Sequence, residues 1–589
     1  MPITKINNKS LDAGSVDLAS NVVTGLLPDA SVSYQPSGTG AVTTTVQAKL
    51  RESVSVKDFG TVGDGVTDDT AAIQAALDSG NDVFIPTGTF LHSGLVISNI
   101  GQTVYGFGNN HILKLKNGAN KSSINVSANY VTIKDISING NATGQTNNTE
   151  ENASGIFTMG VSNLSVLNCN IEYPKRNGIA SSAKNEFCIY RNNRIYAPGF
   201  IGIYNVSSAY PTLHSVIEGN TIHSPGQDGI GTTGFQHSTI SNNTIYNPTV
   251  AGIAMEARCD NSTVTGNTVR GTGVGSNANG IQVNDSVGVS VSSNSVYGTS
   301  VGVSVAGGPT SKMVSVTANT INDCRVGVQV DASASQTASS LNCYKYGVTV
   351  IGNAIGGSRE MAILLNAISG VSVVGNQIIN FATSVSPESV SRTRAAIALR
   401  TYSCYNTVSD NYIYDNSGSL LKIGILELYD GSDAALANVF SNNNIQGIIN
   451  DYGLSFSGQY ASSVTRPIKT NTSPTTGTWA TGHVIYMAYP SAGGFIGWVS
   501  TDPRGGTFGS ASTTGSISSG SSTLVVASTD GFHEGMTIQV AGAINGSVIA
   551  RINHPLKTIY LIDNAGSTVS NASVSLKPPV FKTFGTISA

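Results

Sequence analysis

The sequence predicts an all-β solenoid, a right-handed parallel β-helix, on three observations. A short unit recurs at a near-constant spacing, a second column runs in phase with it, and the composition is rich in glycine and poor in charge. The unit is Asn-x-Ile/Val, at Asn193-Arg194-Ile195, Asn220-Thr221-Ile222, Asn243-Thr244-Ile245, Asn267-Thr268-Val269, Asn294-Ser295-Val296 and Asn319-Thr320-Ile321. It continues at Asn353-Ala354-Ile355, Asn376-Gln377-Ile378 and Asn411-Tyr412-Ile413. The first six apolar positions are 27, 23, 24, 27 and 25 residues apart.

The second column is Gly-Ile/Val, at Gly178, Gly202, Gly229, Gly252, Gly280, Gly302 and Gly327. Between the columns lie short alternating runs such as Ser262-Thr-Val-Thr265. Each repeat therefore reads as one coil of about three strands, Ile and Val inward and polar residues outward. The recurring glycine is expected to supply turn geometry. The asparagines can hydrogen-bond from coil to coil. One coil cannot bury its apolar face alone, whereas a stack can.

A chain of 589 residues is too long for one compact core, and its 66 glycines, 40 % hydrophobic and 11 % charged residues suit β-structure rather than disorder. Net charge of −3 without a basic run excludes nucleic acid as a partner. No apolar run reaches the roughly 20 residues of a spanning helix, so membrane insertion is not expected. The first residues, MPITKINNKSLDAGSVDLASN, contain no signal-peptide core. Six scattered cysteines (Cys169, Cys188, Cys259, Cys324, Cys343, Cys404) lack disulfide or metal spacing, so they are expected to be buried thiols of a protein made in a reducing cytoplasm.

The ends differ from the middle. Residues 1–50 offer little to form a core and read as an extended arm. Residues 51–100 read as a cap: Asp68-Asp69-Thr70-Ala-Ala-Ile-Gln-Ala-Ala-Leu77 is an amphipathic helix starting near Asp69 or Thr70, with Ile73, Ala76 and Leu77 on one face. Asp64, Asp68 and Asp69 lack calcium-loop spacing and read as turn and cap residues, and no metal or cofactor is expected. The solenoid occupies 101–460. Residues 461–589, with runs such as Thr523-Leu-Val-Val526 and Met536-Thr-Ile-Gln-Val540 between turn residues, read as an antiparallel β-domain serving trimerisation or carbohydrate binding.

Ser53-Val-Ser-Val-Lys-Asp-Phe-Gly60, followed by Gly63-Asp-Gly-Val-Thr-Asp-Asp-Thr70, resembles the opening motif of the pectate-lyase-like β-helix superfamily. Tyr34-Gln-Pro-Ser-Gly-Thr-Gly-Ala41 and Thr45-Val-Gln-Ala-Lys-Leu50 resemble the lead-in of bacteriophage tailspikes, and Gly477-Thr478-Trp479, Gly494-Phe-Ile-Gly-Trp498 and Phe584-Gly-Thr-Ile587 resemble tailspike tail segments. The resemblance implies a homotrimer, an N-terminal arm that attaches to the phage tail or an adaptor protein, and depolymerisation of a bacterial surface polysaccharide, capsule or O-antigen. It implies a virion protein that is made in the host and acts outside the bacterial cell. It does not choose among hydrolase, lyase and non-cleaving adhesin, because all share the motif.

Ladder neighbours on a β-helix are spatial neighbours, roughly 4.7–4.9 Å apart. Aligning coils on the Gly-Ile column puts Thr233, Glu256 and Asn284 at one outward position, with Arg258 two residues on and Asp228 before Gly229. Aligning on Ile217, Ile240 and Val264 stacks His214, His237 and Asn261, with Gln236 beside Asp260. Glycoside hydrolysis needs two carboxyl groups, which Glu256 with Asp228 or Asp260 would supply. A β-eliminating lyase needs a base and a cation instead, for which His214, His237 and Arg258 stand ready. The hydrolase is the preferred reading. Against it, a Glu-x-Arg pair is commonly a solvated ion pair and Asp before Gly is ordinary turn chemistry. Tyr204, Tyr210, Phe200 and Phe235 are candidate sugar platforms, and Glu150 with Glu151 is a fallback acidic pair at a subunit groove.

Overall fold

Three long parallel sheets wrap into a β-helix, followed by a six-stranded antiparallel barrel. The computed structural model describes residues 32–149, 153–206, 211–273, 276–306, 311–331, 347–383 and 394–400, short stretches between 403 and 507, and 510–533, 536–578 and 581–586. Each coil contributes one strand to each wall. In one coil, Ile179–Ser182 lies in the first wall, Ile189–Arg191 in the second and Arg194–Tyr196 in the third. Among the described residues the first wall holds 14 strands, from Leu95–Ile97 to Asn450–Leu454, and the third holds 15.

The Asn-x-Ile unit forms the corner between the second and third walls. Its Ile/Val side chains pair coil on coil, Ile195 with Ile222, Ile245, Val269, Val296 and Ile321, and all are buried in one continuous core. The asparagines are buried too. Asn243 Nδ2 donates to Asn267 Oδ1 at 2.9 Å and to the Ile217 carbonyl at 2.9 Å, while its own Oδ1 accepts from the Asn220 backbone N–H and Nδ2, both at 2.9 Å. The same pattern runs from Asn193 to Asn443, so the corner's buried polar groups are satisfied by the column itself. The residue before each asparagine is left-handed (Asn192, Gly219, Asn242 and Gly266 have φ of 56°, 66°, 55° and 67°), the conformation asparagine and glycine accept most readily.

The Gly-Ile column has a different cause from the expected one. These glycines are absent from the left-handed set. What they lack is room: a Cβ on Gly229 would lie 2.5 Å from Ile245 Cγ2 and 2.6 Å from the Gly252 carbonyl oxygen. Gly202, Gly252, Gly280 and Gly302 meet the same two neighbours, the next coil's backbone and the core Ile or Val of the asparagine unit. Close stacking, not turn geometry, selects glycine.

The cap helix is Thr70–Asp78, with Ile73, Ala76 and Leu77 buried against the first coils. Asp69 is its N-cap residue by position, but its carboxylate accepts from Val62 and Gly63 N–H instead. Upstream, Ser33–Tyr34 pairs with Thr44–Thr45 and leads into the short helix Val46–Leu50. Cys169, Cys188, Cys259 and Cys324 are buried free thiols, and burial pushes the Cys169 thiol up to about 12. Cys343 and Cys404 lie outside the described residues. The second wall's parallel ladder runs on through Thr465–Thr470 and Val484–Met487, then turns antiparallel with Phe495–Ser500 and Phe581–Thr586. The barrel strands lie between Ser512 and Leu576 around their own core.

Candidate functional site

The sequence candidates fall in two places on adjacent coils. On the first wall, Tyr204, Gly231, Ala254 and Gln282 form one outward column. The next outward position carries Thr233 and then Glu256, whose N–H bonds the Thr232 carbonyl at 2.8 Å, and Asn284 follows the Met255–Val283 pair in the same register. Glycine and alanine make the floor of this column; both are buried, and Ile201 Cδ1 lies 3.1 Å from where a Gly231 Cβ would stand. A Cβ on Gly231 would meet Tyr204 Cδ2 at 3.4 Å and Asp228 Oδ2 at 3.5 Å, so the Asp228 carboxyl and the Tyr204 ring border the same floor.

Asp228 is buried, with 4 % exposure, and its Oδ1 has no hydrogen-bond partner. Burial pushes its carboxyl up to about 7 and the nearby Glu256 charge adds to the rise, with a hydrogen bond from the Ala251 backbone pulling the other way. Glu256 itself is exposed. Asn284 Oδ1, on the coil after Glu256, is a second buried acceptor without a partner. A buried carboxyl raised by its burial, an exposed glutamate and an unpartnered amide oxygen thus sit along three consecutive coils. Asp228 Oδ1 and Asn284 Oδ1 lie two coils apart on the same wall, and a hydroxyl donor would satisfy either one.

The second place is the corner between the first and second walls. His214 and His237 stand there in left-handed conformation, stacked at 5.7 Å and 24°, with Phe187 on the other side of His214 at 5.2 Å. Both imidazoles are exposed. Asp260 is already engaged, its Oδ1 accepting from Val287 N–H at 2.8 Å and its Oδ2 from Gln236 Nε2 at 3.3 Å, so it staples one coil to the next. The Arg258 N–H bonds the Asp285 carbonyl at 2.9 Å in the same turn. Of the candidate platforms, Phe235 is buried in the core and offers no face, Phe200 lies under the Arg176 guanidinium at 4.2 Å, and Tyr204 is half-buried on the first wall. Tyr210, Glu150 and Glu151 lie outside the described residues.

Sequence reasoning passed over one feature. On the third wall the residue after the core Ile or Val of each coil points outward, which lines up Glu172, Tyr196, His223, Tyr246, Arg270 and Tyr297. Tyr196, His223 and Tyr246 follow one another at 6.0 and 4.5 Å. The signal was the fourth residue of the unit, hidden because the three before it define the period.

A family model for rhamnogalacturonase A/epimerase, pectate lyase-like, matches residues 53–277, and one for the periplasmic copper-binding protein NosD matches 263–477. Among the described residues no three His, Cys, Asp or Glu side chains gather as metal ligands. The tail spike protein of Shigella phage Sf6 is 36 % identical over 118 residues, 18 % of this chain and 19 % of that protein. Alginate lyase 7 of Azotobacter vinelandii is 35 % identical over 125 residues, 18 % of this chain and 14 % of that one. These matches thus span a fifth or less of the relatives' length. Tailspike protein 3 of bacteriophage CBA120 superposes with a TM-score of 0.52 at 14 % identity, over 82 % of this chain and 73 % of that one, which shows the shared fold. Coil architecture and the superposition agree on a parallel β-helix, and the opening motif lies within the segment, residues 53–277, that matches the pectate-lyase-like family model.

Proposed function

We propose that the chain is a phage tailspike that binds a bacterial surface polysaccharide and cuts it by hydrolysis, with Asp228 as general acid and Glu256 as the partner carboxylate. The observation that carries this reading is the state of Asp228, a buried carboxyl with an unpartnered oxygen, raised to about 7, beside an exposed carboxylate on the next coil. Hydrolysis of a glycosidic bond needs that asymmetry: one carboxyl keeps its proton for the leaving oxygen while the other acts as base or nucleophile. Tyr204 would hold a sugar ring over Gly231, and Asn284 would accept from a sugar hydroxyl.

The lyase alternative has less support. His214 stacks between Phe187 and His237 at the corner, which already gives the two imidazoles a packing role. As part of the same proposal, the protein is made in the host cytoplasm, assembles as a homotrimer, attaches to the tail or an adaptor through its N-terminal arm, and acts at the outside of the cell. Incubation with a panel of capsular and O-antigen polysaccharides tests the reading. Shortened chains without unsaturated-uronate absorbance support it. That absorbance would establish the lyase, and intact glycan retained by the protein would establish an adhesin.

A further inference from the structure

The third wall carries a strip with no part in the site above. One outward column is hydroxyl-rich, Thr221, Thr244, Thr268 and Ser295, and beside it runs the ring column from Tyr196 to Tyr297. Over the same coils the second wall has no aromatic residue at its outward positions, from Ser165–Leu167 to Ser315–Thr317. The ring column thus belongs to the third wall and has no counterpart on the second. At the strip's N-terminal end lies a polar cleft bounded by Asn139, Asn170, Glu172 and Arg194. There Arg194 donates to Asn170 Oδ1 at 3.0 Å and to Glu172 Oε1 at 3.1 Å, which fixes the guanidinium at the cleft wall.

The rings divide by function. His223 and Tyr246 stack face to face at 13°, while Tyr196 is tilted 46° to His223 and has the Arg194 guanidinium over its ring at 5.4 Å. The ends differ: Tyr173 stands at 83° to Tyr196, so one ring of that pair keeps its faces uncovered by the other, and Tyr297, 44 % exposed, has the Arg270 guanidinium over one face at 5.7 Å. Burial and the Arg194 charge hold the His223 pKa below its usual value, so the middle of the strip is uncharged at neutral pH. A row of hydroxyls, an amide-and-guanidinium cleft and ring faces at either end make an amphipathic track that matches a pyranose polymer, with hydroxyls at its rim and C–H bonds on its faces.

We propose that this strip is a second, non-catalytic glycan-binding site that holds the same polysaccharide while the first wall cuts it. It rests on the reading of the first wall as a glycan site. Two sites on one polymer raise apparent affinity for long chains without changing the chemistry of a short one.

The test uses the full-length protein and the polysaccharide selected by the panel assay, compared with its one- or two-repeat oligosaccharides. Arg194→Gln and Tyr297→Ala are made singly and together, so that a folding failure in one leaves the other. The double variant should raise KM for the polymer about tenfold and leave kcat and all oligosaccharide kinetics at wild-type values. Unchanged polymer KM in every folded variant overturns the proposal, as does an equal loss on oligosaccharides. Retention on the immobilised polymer separates the two readings. A wild-type protein that is retained but does not cut overturns the catalytic reading alone, and the strip stands if the double variant loses retention. A protein retained by no member of the panel overturns both.

Discussion

The charge of Glu256 reaches Asp228 on the preceding coil and helps to keep that buried carboxyl protonated up to about pH 7. Neither residue does this alone: burial supplies the larger part, and the ladder places the second carboxylate close enough to add to it. Asp228→Asn and Glu256→Gln should each lower turnover by about two to four orders of magnitude while polymer binding persists. Asp260→Asn keeps the shape of a group engaged by Val287 and Gln236, and should leave turnover within about tenfold of wild type. Release of reducing ends measures all three; equal losses at Asp260 and Asp228 would move the acid to the corner.

The pH profile should have its alkaline limb at Asp228. A general acid works protonated, so kcat/KM should fall about tenfold per pH unit above roughly 7. Glu256→Gln removes a charge that raises the Asp228 pKa, so direct titration of Asp228 in that variant should give a lower value than in wild type.

The same carboxyl costs stability at neutral pH. Its folded pKa of about 7 lies above the ordinary 3.8, so the folded state binds the extra proton between those values and wild-type stability declines as pH rises through that window. Asp228→Asn abolishes the dependence. Its advantage should be absent below about pH 4, grow from there to pH 7 and level off above it, with a ceiling on the order of 4 kcal/mol. Denaturant unfolding at pH 4 and pH 8 reads the difference; a variant equally stable or weaker at both would refute it.

Asn243→Ala tests the asparagine column. It strips partners from the Asn220 N–H and Nδ2 and from the Ile217 carbonyl, all buried, and should cost on the order of 3 kcal/mol or more. Thermal unfolding measures the loss, which a surface asparagine would not show.

Gly229→Ala and Gly375→Ala separate the two uses of glycine. At Gly229 a Cβ collides with Ile245 and the Gly252 carbonyl, and the substitution should destabilise by about 1–3 kcal/mol or leave the chain unfolded. At Gly375, with φ +64° and nothing within 4 Å, only the left-handed backbone is penalised, at about 1–2 kcal/mol. Crystallographic coil spacing should change locally in the first variant and not in the second.

The sequence by itself determined the repeat, and with it the coil, the buried Ile/Val ladder and the asparagine column, because a residue that recurs once per coil is stacked on its own kind whatever else the chain does. It also determined which residues share a ladder, which is why Thr233, Glu256 and Asn284 could be aligned beforehand. Tertiary structure alone decided what each neighbour does. Asp228 and Asp260 are both carboxylates beside turns, yet one is left buried with an unpartnered oxygen and the other is spent on a backbone N–H and an amide. That difference depends on the depth of a side chain and the donors within hydrogen-bonding reach of it, which a period along the chain does not encode. The glycine column shows the same division, since its spacing is legible in one dimension while its cause, the distance to the next coil's carbonyl, exists only in three.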